Sequence, residues 1–148
     1  MKVVVLDSTP LGLLAAPPHI PVAAACTAWA NALAAAGHRL VVPEITDYEV
    51  RRELLRLRAA ARVRQLDGLR GWMDYLPLDT PTLRRAAELW AFARQAGQPT
   101  AGDNTIDIDM ILVAQAESLS DPNTVIATGN VGHLQRFFPA ELWTNITP

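Results

Sequence analysis

Val3-Val4-Val5-Leu6-Asp7-Ser8-Thr9 is the stretch that decides the fold: four apolar residues in a row, three of them β-branched, then an acid and two hydroxyl residues. An apolar run without alternation is expected of a strand buried on both faces, as in a parallel sheet. Asp7 then falls at the rim of that sheet. A carboxylate there is partly desolvated, which is costly unless it is paired or holds a cation. The plainer alternative is an Asp that caps a turn through Ser8 and Thr9.

Outward from this strand, an alanine-rich helix is expected over about Pro21–Ala36, with Pro21 in its first turn and Gly37 past its end. Leu40-Val41-Val42 reads as a second strand, followed by one long helix over about Glu44–Leu69 with an apolar stripe of Ile45, Tyr48, Leu54, Leu55 and Leu57. Thr80 is the expected cap of a further helix, with Pro81 at its first position and an apolar face of Leu83, Ala86, Ala87, Trp90 and Ala93, ending at Gly97. Gln98–Thr105 is polar and reads as loop, Ile108–Ser118 as helix, and Thr124–Thr128 as a third strand. After a turn at Gly129–Gly132 come a short helical turn, His133–Phe137, and a last strand, Leu142–Ile146. Strands alternating with helices predict an α/β domain with a mainly parallel central sheet flanked by helices. No repeat or linker divides residues 1–148, so one domain is expected.

Composition narrows the classes. The 148 residues are 50% hydrophobic and 19% charged with a net charge of −2, which excludes global disorder. No apolar stretch reaches the ~18 residues of a membrane span, and MKVVVLD is too short an apolar run for a signal peptide. The single cysteine, Cys26, allows no internal disulfide and suits a reducing cytoplasm. Twelve of the 13 basic residues are arginine, seven of them between Arg51 and Arg70, whereas Asp103–Asp121 holds five acids and no base. Such arginines suit phosphates or partner carboxylates, unless they form only a solvated helix face.

Ligands of open parallel sheets bind beyond the carboxyl ends of the strands. Asp7, Glu44–Glu49 and Thr128-Gly129-Asn130 are the polar groups expected there. Glu49 and Glu53 stand four apart on one helix, and Glu53 reads as an ordinary surface acid paired with Arg52 or Arg56. Asp103, Asp107 and Asp109 precede an almost wholly apolar helix; three acids exceed what a helix start requires. Hard oxygen ligands from three chain regions suit Mg2+ or Mn2+. Other chemistries are excluded. A Walker A loop and a phosphoacceptor receiver both need a lysine that this chain lacks, since Lys2 is its only one. HExxH and GxSxG are absent, and His19, His38 and His133 read as isolated.

In order, VVVLDST, VVPEITDYEVRREL, DIDMILVAQA and VIATGNVGHLQRF resemble the successive motifs of PIN-domain ribonucleases, in particular the VapC-type toxins of toxin–antitoxin pairs. The resemblance spans nearly the whole chain. It implies a metal-binding role for Asp7, Glu49 and Asp109, with Asp107 beside the last, and it places Thr128 and Asn130 in the late Thr-x-Asp segment. Asn130 stands where an acid is often found, and its amide brings no charge. The activity implied is metal-dependent cleavage of single-stranded or structured RNA in the cytoplasm, with Mg2+ or Mn2+ as cofactor. The partners implied are a cognate antitoxin and a second copy of the chain in a homodimer. Two other readings compete: a catalytically inactive PIN-like module binding RNA or a protein, favoured by Asn130, and a haloacid-dehalogenase-like phosphatase, suggested by Asp7-Ser8-Thr9 but lacking the later lysine. An inhibitory partner helix is expected to lie along Ile45, Tyr48, Arg52 and Leu55, next to Glu49.

Overall fold

The computed structural model describes residues 1–97 and 103–148. The expected loop Gln98–Thr105 therefore lies partly outside the described residues, as do the side chains of residues 103–106, Asp103 among them.

β1 (Val3–Leu6) lies at the centre of a five-stranded sheet, every pairing of which is parallel. On one side it pairs with β2 (Arg39–Pro43), which in turn pairs with β3 (Asp74–Leu76); on the other it pairs with β4 (Thr124–Thr128), followed by β5 (Ala140–Leu142). Strand alternation splits the apolar run of β1 between two cores. Val4 and Leu6 face α1 (Ser8–Leu14), α2 (Pro21–Ala35), α3 (Glu44–Arg56) and α4 (Ala60–Gly68). Val3 and Val5 face α5 (Thr80–Gln95) and α6 (Asp103–Ser118). Among the described residues no helix is long and apolar enough to cross a membrane.

Several elements depart from the expectation for local reasons. α1 is an unforeseen helix: Pro10 looks like a breaker, but it sits in the first turn, where its missing N–H is not needed. The long helix expected over Glu44–Leu69 is two. Arg58 adopts a left-handed φ of 55°, and the amides of Arg58 and Ala59 turn back to Leu55 and Leu54, ending α3. β3 is too short to show a period. Asp79, not Thr80, caps α5, its Oδ1 accepting the Thr82 amide at 2.9 Å. The buried face of α5 is Thr82, Ala86, Leu89 and Ala93, leaving Leu83 and Trp90 exposed. α6 begins at Asp103, five residues before the expected start. The last strand ends at Leu142, because the tail folds back over α2: Trp29 Nε1 donates to the Ile146 carbonyl at 2.8 Å, and Trp143 meets the Trp29 ring edge-on.

Candidate active site

β1 is the switch point of the sheet, since the chain leaves it to one side for β2 and returns to its other side in β4. The crevice beyond the carboxyl ends of β1 and β4 is therefore the expected ligand position. Asp7 stands there. Its amide extends the ladder to the Ala127 carbonyl at 2.9 Å, so the position of Cα is fixed by the sheet. Its carboxylate accepts the Ser8 amide on Oδ1 and the Thr128 hydroxyl on Oδ2, both at 2.7 Å. Thr128 Oγ1 also accepts the Asn130 amide at 3.1 Å, which turns the chain after β4.

Glu49, on α3, and Asp109, on α6, line the same cavity as Asp7, Ser8, Thr9, Thr128, Asn130 and His133, with a volume of about 290 Å3. Burial pushes the Glu49 carboxyl above its ordinary range; the negative charge of Asp7 adds to this, and the Ser8 hydrogen bond and nearby Arg52 oppose it. Burial likewise raises Asp109, with His133 pulling it back and Asp7 raising it further. Each of these shifts marks a carboxylate that gains from a nearby positive charge. Thus three acids widely separated in sequence share one cavity, supplied by β1, α3 and α6.

Ser8, expected as a hydroxyl neighbour of Asp7, opens α1 and also holds the Glu49 carboxyl down. One site residue was missed by the sequence reading. His133, read as isolated, places Nε2 2.6 Å from Asp109 Oδ2. Its available signal was position: it follows β4 in GNVGH, beyond the carboxyl end of a central strand. The loop that carries it is tightly set. A Cβ on Gly129 would come within 2.6 Å of Thr9 Cγ2, and Gly132 takes a left-handed φ of 38°.

Asp107 does not join this cavity. It lines a groove with Leu83, Ala87, Trp90 and Ile111, because two residues on a helix turn the side chain by about 200° from Asp109. The expected stripe beside Glu49 is also corrected. Ile45 is buried in the core, and Tyr48 lines a separate hollow with Asp47 and Arg51. The groove that adjoins Glu49 is formed by α1, α3 and α4, through Gly12, Val50, Leu54, Leu57 and Arg62; of the expected stripe Arg52 does line it, and Ser8 and Glu49 are shared with the acidic cavity. Part of the arginine run is structural. Arg51 bridges Asp47 and Asp67, Arg56 pairs with Glu53, and Arg62 donates to the carbonyl of Ala15.

In donor chemistry the cavity fits a hard divalent cation, with carboxylate oxygens from Asp7, Glu49 and Asp109 around a space wide enough for waters. Among the described residues no three acid, histidine or cysteine groups are already gathered around one point at metal-holding distance.

The five-stranded parallel sheet with helices on both faces is a PIN-like α/β fold. The chain matches one chain of VapBC2 from Rickettsia felis bound to a DNA fragment from its promoter, with a TM-score of 0.69 and 15% identity over 96% of this chain and 99% of that one. It also matches a chain of FitAcB from Neisseria gonorrhoeae, at a TM-score of 0.67 and 18% identity over 97% of this chain and 99% of that one. A chain of DNA-bound VapBC from Salmonella typhimurium matches at a TM-score of 0.64 and 18% identity, over 97% and 99% of the two chains. No family model and no curated protein matches the sequence.

Proposed function

We propose that the chain is a metal-dependent endoribonuclease that cleaves phosphodiester bonds of RNA, acting in the cytoplasm as the toxin of a toxin–antitoxin pair. The observation that carries this reading is the convergence of Asp7, Glu49 and Asp109 in one cavity at the switch point of a PIN-like sheet. These three carboxylates would hold Mg2+ or Mn2+. When bound, such an ion supplies Lewis acidity and neutralises charge developing at the scissile phosphate. The chain's own residues do the positioning. The Thr128 hydroxyl and the Ser8 amide hold the Asp7 carboxylate in one orientation, and Arg52 offsets the negative charge at Glu49. Exposed Arg52, Arg58 and Arg64 supply positive potential for an RNA backbone that the acids alone would repel.

The groove of α1, α3 and α4 is where an antitoxin segment would lie, since it opens directly onto Glu49. An apolar helix face in the groove could carry an Arg or Lys into the acidic cavity. A second copy of the chain would cover exposed Leu83 and Trp90. The sequence resemblance to VapC-type toxins and the fold shared with chains of VapBC and FitAcB support this assignment.

The test is incubation of the purified chain with single-stranded RNA and Mg2+ or Mn2+. Internal cleavage that EDTA stops and that Asp109→Asn lacks is expected; RNA left intact under every metal condition would overturn the assignment. The uncharged Asn130 favours one second reading, a PIN-like module that binds RNA or a protein without cutting. Tight RNA binding without cleavage would identify it.

A further inference from the structure

We infer that His133 Nε2 ligates the same divalent cation as Asp109, as a neutral fourth donor in a site where Asn130 brings no charge. The resulting nitrogen–oxygen donor set favours a first-row transition ion such as Mn2+ over Mg2+. This inference rests on the metal-dependent reading of the cavity and adds a ligand and a metal preference to it.

Three observations carry it. His133 lines the same cavity as Asp7, Glu49 and Asp109, on a different loop from any of them. Its Nε2 stands 2.6 Å from Asp109 Oδ2, with the two side chains only 20% and 15% exposed. Neighbouring ligands of one ion with bonds near 2.1 Å are about 3 Å apart. Slightly opened, and with Nε2 releasing the proton it shares with Asp109 so that the neutral ring keeps its hydrogen on Nδ1, this pair gives two neighbouring ligands of one ion. Finally, the ring is placed from the sheet. Thr128 anchors the turn through the Asn130 amide, Gly129 packs on Thr9, and Gly132 takes the left-handed conformation that brings the chain back over the cavity.

The chemistry of selection follows from the donors. Mg2+ takes oxygen ligands and holds its waters firmly. Imidazole suits transition ions, and replacing a fourth carboxylate by a neutral nitrogen lowers the charge that attracts Mg2+ while adding a donor it uses poorly. His38 does not compete at this edge. His38 Nδ1 accepts the Lys2 amide at 2.9 Å beside the starts of β1 and β2, at the opposite end of the sheet.

The experiment uses the full metal-free chain, with Mn2+ and Mg2+ as the probes and no RNA. Electron spin-echo spectroscopy of the Mn2+ complex is expected to show a directly bound nitrogen, which His133→Gln removes. Titration calorimetry is expected to show Mn2+ affinity falling in His133→Gln by at least the ~10-fold that loss of an outer partner costs, with Mg2+ affinity changing less. Bound Mn2+ without nitrogen coupling in the wild-type chain overturns the inference even if the variant fails to fold. So does an equal loss of affinity for both ions. RNA cleavage without nitrogen coupling leaves the nuclease reading standing and removes this one; nitrogen coupling without cleavage does the reverse. No Mn2+ binding at millimolar concentration overturns both.

Discussion

Gln115 shows how a residue outside the cavity can determine it. It is fully buried, and its amide is engaged at both ends: Oε1 accepts the Ile45 amide at 3.1 Å and Nε2 donates to the Leu76 carbonyl at 2.9 Å. Ile45 lies one turn before Glu49, and Gln115 lies on the same helix as Asp109. The side chain thus ties the two helices whose acids must meet. Gln115→Leu leaves a buried N–H and a carbonyl unpaired, and denaturant titration should show a loss of at least about 1–3 kcal/mol. An unchanged midpoint would mean that the two backbone groups find other partners. Asp7→Asn tests the centre of the site. Asp7 raises both Glu49 and Asp109 by its charge, so removing that charge relieves repulsion in the metal-free protein. RNA cleavage should be abolished while the melting temperature of the metal-free chain is kept or raised. Retained cleavage would remove Asp7 from the mechanism.

At the scale of elements, the join of α3 and α4 and the clamp of β3 on α3 each carry a test. Arg58 holds a left-handed φ of 55° at the end of α3, where a side chain costs about 1 kcal/mol and glycine is the usual occupant. Arg58→Gly should stabilise the domain by roughly 0.5–1 kcal/mol in equilibrium unfolding; a loss would show that the arginine side chain contributes more than its backbone costs. On β3, the Tyr75 hydroxyl donates to Glu44 Oε2 at 3.0 Å, and Glu44 Oε1 accepts the Leu78 amide at 2.8 Å. Burial first, and Glu44 second, push the Tyr75 phenol from 10.0 up to about 12. Folding therefore favours the protonated phenol. Its contribution is intact below pH 10.0 and is lost as the pH rises through about 12. Unfolding curves across that window should show a steeper loss of stability for the wild-type chain than for Tyr75→Phe. Parallel losses would mean that the phenol titrates freely.

For the molecule as a whole, the groove between α5 and α6 is one exposed apolar face that the isolated fold leaves uncovered. Leu83 and Trp90 are 46% and 38% exposed beside Ala87 and Ile111. A stable interface buries at least ~1,200 Å2, and self-association is expected to centre on this face. Sedimentation at micromolar concentration should give a dimer, and Trp90→Glu should return it to a species of about 16 kDa. A wild-type chain that sediments only at that mass would overturn the homodimer.

The sequence by itself determined the parallel sheet and the identity of the acids worth following. An unbroken apolar run rich in β-branched residues is expected to be buried on both faces, and a carboxylate after it needs a partner, so VVVLD carries both statements locally. The C′ position of Gly37 was legible for the same reason: its φ of 87° is a property of one residue. The break at Arg58 was not legible, because nothing in its side chain announces a left-handed turn. Only the tertiary structure decided that Asp109 faces the cavity and Asp107 faces away, since two acids two positions apart on a helix point opposite ways and packing alone says which way the cavity lies. It also decided that His133 stands against Asp109. A histidine 24 residues from its partner leaves no periodic trace, and the contact exists only because β4 lies beside β1 and turns back over its end.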